Sequence, residues 1–187
     1  MTTVSDSLTG SGLLAGTAVA SSDASATSNW ATATYPGMQR GPDGAFLDMF
    51  SHGDCYTTVA LDSPLSQASI EVTAAINGGS PQDFGRVHLE IPGLGLSQML
   101  ELYGGEAGRF LYEMNFEAGS WKKYKDGELV SSGSGIGGGP YEASSVRIRV
   151  EIYSNVAVNY LKDLVVTIGA AATPLFWTAF QGASEVA

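Results

Sequence analysis

The densest group of side chains able to do chemistry is Glu113-Met-Asn-Phe-Glu117, where Glu113, Asn115 and Glu117 alternate with Met114 and Phe116. On a strand that alternation places the three polar groups on one face. Two carboxyl groups about 5–5.5 Å apart can serve as nucleophile and acid/base in retaining glycoside hydrolysis. Residues i and i+4 of a strand are about 13 Å apart at Cα, so the side chains must lean together to reach that spacing. A solvated strand face is the simpler reading, and no catalytic residue is expected. Just downstream, Trp121 and Tyr124 are of the type that stacks on sugar rings, and both are candidates for carbohydrate binding. Three residues apart on a strand, they point to opposite faces unless the strand twists or bulges. One is then a core residue and the other a surface residue. Lys122, Lys123 and Lys125 hold three of the chain's nine basic residues. They read as a solvated hairpin tip, or as a spot for an acidic neighbour or an anionic glycan.

Other reactive residues are dispersed. His52 and His88 fall in no metal-ligand spacing. Asp43, Asp48, Asp54, Asp62, Asp83 and Asp126 supply oxygen ligands in or near turns, where a loop calcium would sit, but not at EF-hand spacing. No metal and no cofactor are expected. The glycines of residues 133–140 are followed by no Lys-Ser or Lys-Thr, so they make no phosphate cradle. There is no Gly-x-Ser-x-Gly elbow for a serine nucleophile. The single Cys55 excludes an internal disulfide and lies in a strand-like run, which makes it a buried thiol.

The elements that position these groups are strands. The 187 residues include 24 Gly and 7 Pro, with 9 basic and 19 acidic residues and a formal net charge of −10. Charged residues make up 15% of the chain, against about 25% in an average domain. That profile disfavours helical bundles, and the shortage of Lys and Arg disfavours nucleic acid as a partner. No apolar run approaches the roughly 18 residues of a membrane helix. No Lys or Arg precedes Arg40, so a basic leader is missing and a soluble protein outside the usual export route is expected. From Ala45 onward period-two alternation dominates. Phe110, Tyr112, Met114 and Phe116 share a face, as do Val146, Ile148, Val150 and Ile152. Val156, Val158 and Tyr160 repeat the pattern, and Leu164, Val166 and Ile168 close it. Further strands are expected over residues 45–50, 55–61, 68–76, 86–91 and 98–103. Turn residues lie between them, among them Asp126-Gly127. About ten short strands with tight turns give an all-β, antiparallel two-sheet sandwich.

The hairpin Ser120-Trp-Lys-Lys-Tyr-Lys-Asp-Gly-Glu-Leu-Val130 and the closing strand Asn159-Tyr-Leu-Lys-Asp-Leu-Val-Val-Thr167 resemble those of laminin-G-like and concanavalin-like jelly rolls. The resemblance spans residues 40–168. It implies a jelly-roll sandwich of the type found in lectins, glycan-binding modules, some glycosidases and accessory proteins of bacteriophage virions. Glycosidases of the laminarinase type carry Glu-x-Asp-x-Glu on a strand. This chain has Asn115 at the centre, which cannot share a proton.

The two ends are of different composition. Residues 1–40 are mostly Ser, Thr, Ala and Gly, and are expected to form an extended N-terminal arm, either a flexible tail or a segment that orders against a neighbouring subunit. Residues 41–169 form the sandwich. Residues 170–187 form an apolar tail that folds back or docks elsewhere, since Leu175, Phe176, Trp177 and Phe180 make a costly exposed patch. With Leu13 and Leu14, these are the expected assembly contacts. The composition also resembles that of phage structural proteins. The expected role is therefore a non-enzymatic structural protein of a virion: a capsid decoration protein, or a tail or fibre component. It would contact other virion subunits and form a homo-oligomer such as a trimer. The alternatives are a lectin-like module binding a host glycan and, behind it, a glycosidase using Glu113 and Glu117.

Overall fold

The computed structural model describes residues 1–23, 27–47, 51–78, 80, 82–155 and 157–169. These carry fourteen strands: β1 (Thr2–Asp6), β2 (Ala20–Ser21), β3 (Ala31–Thr32), β4 (Gln39–Gly41), β5 (Gly44–Phe46), β6 (Ser51–Ala60), β7 (Gln67–Ala75), β8 (Phe84–Ile91), β9 (Leu96–Tyr103), β10 (Ala107–Asn115), β11 (Ser120–Lys125), β12 (Glu128–Ser134), β13 (Ser145–Ser154) and β14 (Tyr160–Ile168). One sheet runs β12-β11-β10-β7-β14-β1-β2, with β5 on the flank of β14 and β4 beyond it. The other runs β3-β6-β13-β8-β9. All the strand pairs are antiparallel. The all-β two-sheet sandwich expected from the alternation is what forms.

Alternation sorts the side chains. On β13, Val146, Ile148, Val150 and Ile152 are fully buried between the sheets, while Arg147 and Arg149 point out. On β10, Phe110, Tyr112 and Met114 face Val72, Ile70 and Ala68 of β7. Near the start of β14 the register with β7 shifts between Lys162 and Val165, and Asp163 takes a positive φ of 52°. This bulge explains the broken rhythm of the sequence, because it turns both Leu161 and Leu164 inward. The strand expected from Val156 does not form in the described residues and Val156 lies outside them. Strand β14 starts only at Tyr160, because Asn159 is buried in the preceding turn. Its Oδ1 accepts from the Asn77 N–H at 2.9 Å, and its Nδ2 donates to the Tyr153 carbonyl at 2.8 Å.

The N-terminal segment departs from expectation. It is not an extended arm: β1 lies between β14 and β2, paired from Thr2↔Ile168 to Asp6↔Leu164. Averaged composition hid the reason. Five large apolar residues of this segment, Val4, Leu8, Leu14, Trp30 and Met38, enter the common core, while Leu13 and Tyr35 stay exposed. Asp6, one of its two charges before Arg40, fastens it. Asp6 Oδ2 accepts from Trp30 Nε1 at 2.7 Å, and both carboxylate oxygens accept from the Arg40 guanidinium at 2.8 and 2.6 Å. Burial pushes this carboxyl up, but the hydrogen bonds from Arg40, Trp30 and the Leu8 N–H outweigh it and hold Asp6 below its ordinary value. The first strand is therefore structural. Leu14→Ala is expected to cost about 2–5 kcal/mol in urea denaturation, and deletion of residues 1–21 to abolish the cooperative transition. A deletion variant with an unchanged midpoint would contradict this placement.

Candidate functional site

Register across the nine-stranded sheet builds a polar trough on its outer face. Ser132 of β12 pairs with Lys122 of β11, Lys122 with Glu113 of β10, and Glu113 with Ser69 of β7. Ser69 in turn pairs with Thr167 of β14, and Thr167 with Thr3 of β1. The result is a continuous polar row across six strands. The next row adds Ser120, Asn115 and Gln67. Short side chains make the floor, where Ser69 and Thr167 are nearly buried. Gln67, Glu113 and Asn115 are half-buried above it, and Lys122 is exposed. A depression of about 200 Å³ opens here, lined by Gln67, Ser69, Glu113, Asn115, Lys122 and Thr167 among others. Two further hollows on the same face, of about 390 and 370 Å³, adjoin β1 with β14, and β7 with β14.

Glu71 lies one step along β7 from this row, opposite Leu111 and Val165 and diagonal to Glu113. It is 6% exposed. Burial among these neighbours pushes its carboxyl up to about 7; Arg109 opposes the shift and Glu113 adds to it. Near neutral pH Glu71 holds a proton for part of the time beside Glu113. Burial first, then the neighbouring Glu113 carboxylate, pushes the Tyr124 ionisation up.

The sequence candidates separate on this frame. Trp121 and Tyr124 are on opposite faces of β11 and cannot form one platform. Trp121 turns inward beside Tyr112, with ring centroids 5.6 Å apart, and packs over Gly133 of β12. A Cβ at Gly133 would sit 2.7 Å from the indole. Tyr124 faces the trough side. The register with β12 does shift, between Lys123 and Tyr124, but the extra residue is Val130 on β12, so β11 keeps its alternation. The same alternation divides the lysines. Lys122 is exposed, whereas Lys123 turns to the other sheet and donates to the Glu101 carbonyl and Glu106 Oε1 at 3.0 and 3.1 Å. Glu117 lies beyond the end of β10 in a turn, and Asn115 Oδ1 accepts from the Ala118 N–H at 2.8 Å. Glu113, Asn115 and Glu117 are thus a strand end and a turn, not three groups on one strand face.

Of the expected assembly residues, Leu14 is fully buried in this chain's own core and Leu13 is 58% exposed. Leu175, Phe176, Trp177 and Phe180 lie outside the described residues, as does Asp48. Cys55 is buried, and burial first, then the neighbouring Asp54, pushes its thiol up to about 11. Among the described residues no group of three or more His, Cys, Asp and Glu is placed to hold a metal.

One cluster had no signal in the sequence. On the outer face of the five-stranded sheet, His52 Nε2 is 2.7 Å from Glu151 Oε1, and His88 Nε2 is 2.8 Å from Glu151 Oε2. Only pairing of β13 with both β6 and β8 brings together residues 52, 88 and 151. Burial raises the Glu151 carboxyl, but hydrogen bonds from His88 and His52 overcome this and hold it down at about 2.

No family model and no curated protein matches this sequence. Among solved structures it is similar to an apo Crh5 transglycosylase, with 12% identity, 90% of this chain and 85% of that one covered, and a TM-score of 0.51. It is also similar to the carbohydrate-binding module CBM66 from Bacillus subtilis (12% identity, 74% and 95% covered, TM-score 0.45). A third is the Bacillus licheniformis β-glucanase (11% identity, 76% and 92% covered, TM-score 0.40). At such identities the likeness shows the fold. It is a jelly-roll β-sandwich. The bacteriophage part of the resemblance has no counterpart among these three structures.

Glu71 gives a direct test of the electrostatics. Its folded pKa lies above the ordinary carboxylate value, so below about pH 4 it contributes nothing. As pH rises from there through about 7, the unfolded chain loses this proton first and the folded state is penalised. Glu71→Gln is therefore expected to match the wild type near pH 4 and to be more stable at pH 8 by on the order of 1–3 kcal/mol. Urea denaturation at the two pH values measures this, and an equal effect at both would contradict the assignment.

Proposed function

We propose that the protein is a carbohydrate-binding module whose ligand lies along the outer face of the nine-stranded sheet. The observation that carries the reading is the polar row Ser132, Lys122, Glu113, Ser69, Thr167 and Thr3, with Asn115 and Gln67 beside it. Hydroxyl and amide side chains both donate and accept, so they match sugar hydroxyls in either role. The Tyr124 ring and the trough's low floor add apolar surface for sugar C–H groups, as binding sites combine apolar lining with a few placed polar groups. The row crosses six strands, roughly 24 Å at about 4.8 Å per strand, which suits an extended glycan better than a compact metabolite. The known carbohydrate-binding proteins among the structural neighbours, CBM66 for one, support the same choice.

Binding without catalysis is the proposal. Glu71 is too covered to reach a bound ligand, which leaves Glu113 without a second carboxyl to act with. A virion role rested on residues of which Leu14 is committed to the core, and only Leu13 among the described ones is free to meet a neighbour. Screening the full chain on an array of neutral oligosaccharides tests the reading. For the best binder, Glu113→Ala and Gln67→Ala are each expected to weaken affinity about tenfold or more, the loss of one hydrogen bond to a charged group or of a comparable contact. Trp121→Ala is expected to lower stability and leave affinity within about twofold once folded, because its ring packs inside. Affinity lost on Trp121→Ala and kept on Glu113→Ala would overturn the site.

A further inference from the structure

The outer face of the five-stranded sheet is composed unlike the trough face. All four lysines, Lys122, Lys123, Lys125 and Lys162, stand on the nine-stranded sheet. The five-stranded face carries Arg86, Arg147 and Arg149 instead, with Tyr35, Met99 and Tyr103 each more than 40% exposed at its margins. Arginine, tyrosine and methionine are enriched in protein–protein interfaces, and lysine is depleted there.

Charge points the same way. The chain as a whole carries −10, yet on this face three arginines stand against Asp54, Glu90, Glu101 and Glu151. Each of the seven is ion-paired within the face: Arg86 with Glu101, Arg147 with Glu90, and Arg149 with Asp54, Glu90 and Glu151. A second surface laid over them strands no lone charge, which is the costly outcome of burying ions. It also avoids the self-repulsion that a −10 chain otherwise brings to association.

The centre of the face is complementary to itself. Strand β13, the middle strand, presents Arg147, Arg149, Glu151 and Tyr153 outward. A second copy related by a two-fold axis perpendicular to β13, passing between Arg149 and Glu151, sets Arg149 opposite the copy's Glu151. It sets Arg147 opposite the copy's Tyr153. The cation–π contact is made twice, as an isologous interface requires, while each Arg149 lies over a carboxylate already paired within its own face. The five strands hold 38 residues in all, β3 only two of them, and at about 4.8 Å by about 3.4 Å each these give roughly 620 Å². The Tyr35 loop extends this towards the roughly 800 Å² per partner of a stable complex.

We infer that this face is a homodimer interface, through which two copies of the chain pack back to back by their five-stranded sheets. The strands run antiparallel across the interface in aligned sheet-on-sheet packing. The nine-stranded sheets then face outward on opposite sides, whatever they bind, so the inference stands apart from the glycan reading.

Light scattering on the full chain after gel filtration tests it. The expected mass is twice the 19.4 kDa of the chain. The double variant Met99→Glu, Tyr103→Glu changes two exposed residues of β9 and is expected to run as the 19.4 kDa monomer with an unchanged circular dichroism spectrum. Leu13→Glu, at a more exposed residue away from this face, is expected to leave the dimer intact. A wild type that stays monomeric at all concentrations overturns the inference. So does a dimer that survives the double change, or one that only Leu13→Glu dissolves.

Discussion

Everything on the trough face depends on the register of β7 with its two neighbours. That strand is hydrogen-bonded to β10 on one side and to β14 on the other. Its inward residues Ala68, Ile70, Val72 and Ala74 are pinned by the core, so its outward residues Gln67, Ser69, Glu71 and Thr73 are fixed with them. A slip of one residue would send Glu71 into the core and Ile70 into the solvent, at a cost no single contact could offset. The polar row is therefore a consequence of burying the other face. It needs no loop to hold it, and its side chains stand on a rigid sheet, the kind of support that keeps a binding site in one geometry.

The two outer faces show how neighbours decide what a carboxyl does. Glu71 and Glu151 are both nearly buried on outer strand faces. Glu71 has Leu111 and Val165 beside it and Glu113 diagonal to it, and its proton is held up to about 7. Glu151 has His52 and His88 on its two oxygens and Arg149 nearby, and its proton is lost down to about 2. Desolvation acts on both; only one has enough donors to overcome it. The first face stays open and proton-sensitive. The second is a closed network of satisfied charges. That contrast underlies the proposal of a hydroxyl-rich ligand for one face and a second copy of the chain for the other.

Much of this was legible in the sequence and some was not. Alternation in Val146–Ile152 and Phe110–Phe116 specifies strands and their inward faces, and Asp126-Gly127, both with positive φ, marks the two-residue hairpin turn. The spacing of Trp121 and Tyr124 already places them on opposite faces. The N-terminal segment was misread because composition averages over forty residues, while its place depends on five: Val4, Leu8, Leu14, Trp30 and Met38. The trough was invisible for another reason. Ser69, Glu113 and Thr167 are unremarkable within their own strands and become a row only through pairing between strands distant in sequence. The meeting of His52 and His88 on Glu151 has the same origin, and no local spacing encodes it.

The central claim is that the outer face of the nine-stranded sheet, not a loop or the opposite sheet, receives the glycan. Backbone amide chemical shifts, followed during titration with the tightest-binding oligosaccharide, test it most directly. The expected result is a set of shifts concentrated at Gln67–Glu71, Glu113–Asn115, Ser120–Lys122 and Thr167, with β6, β8 and β13 unmoved. Shifts centred on Arg86, Arg149 and Glu151, or confined to the loops, would contradict it.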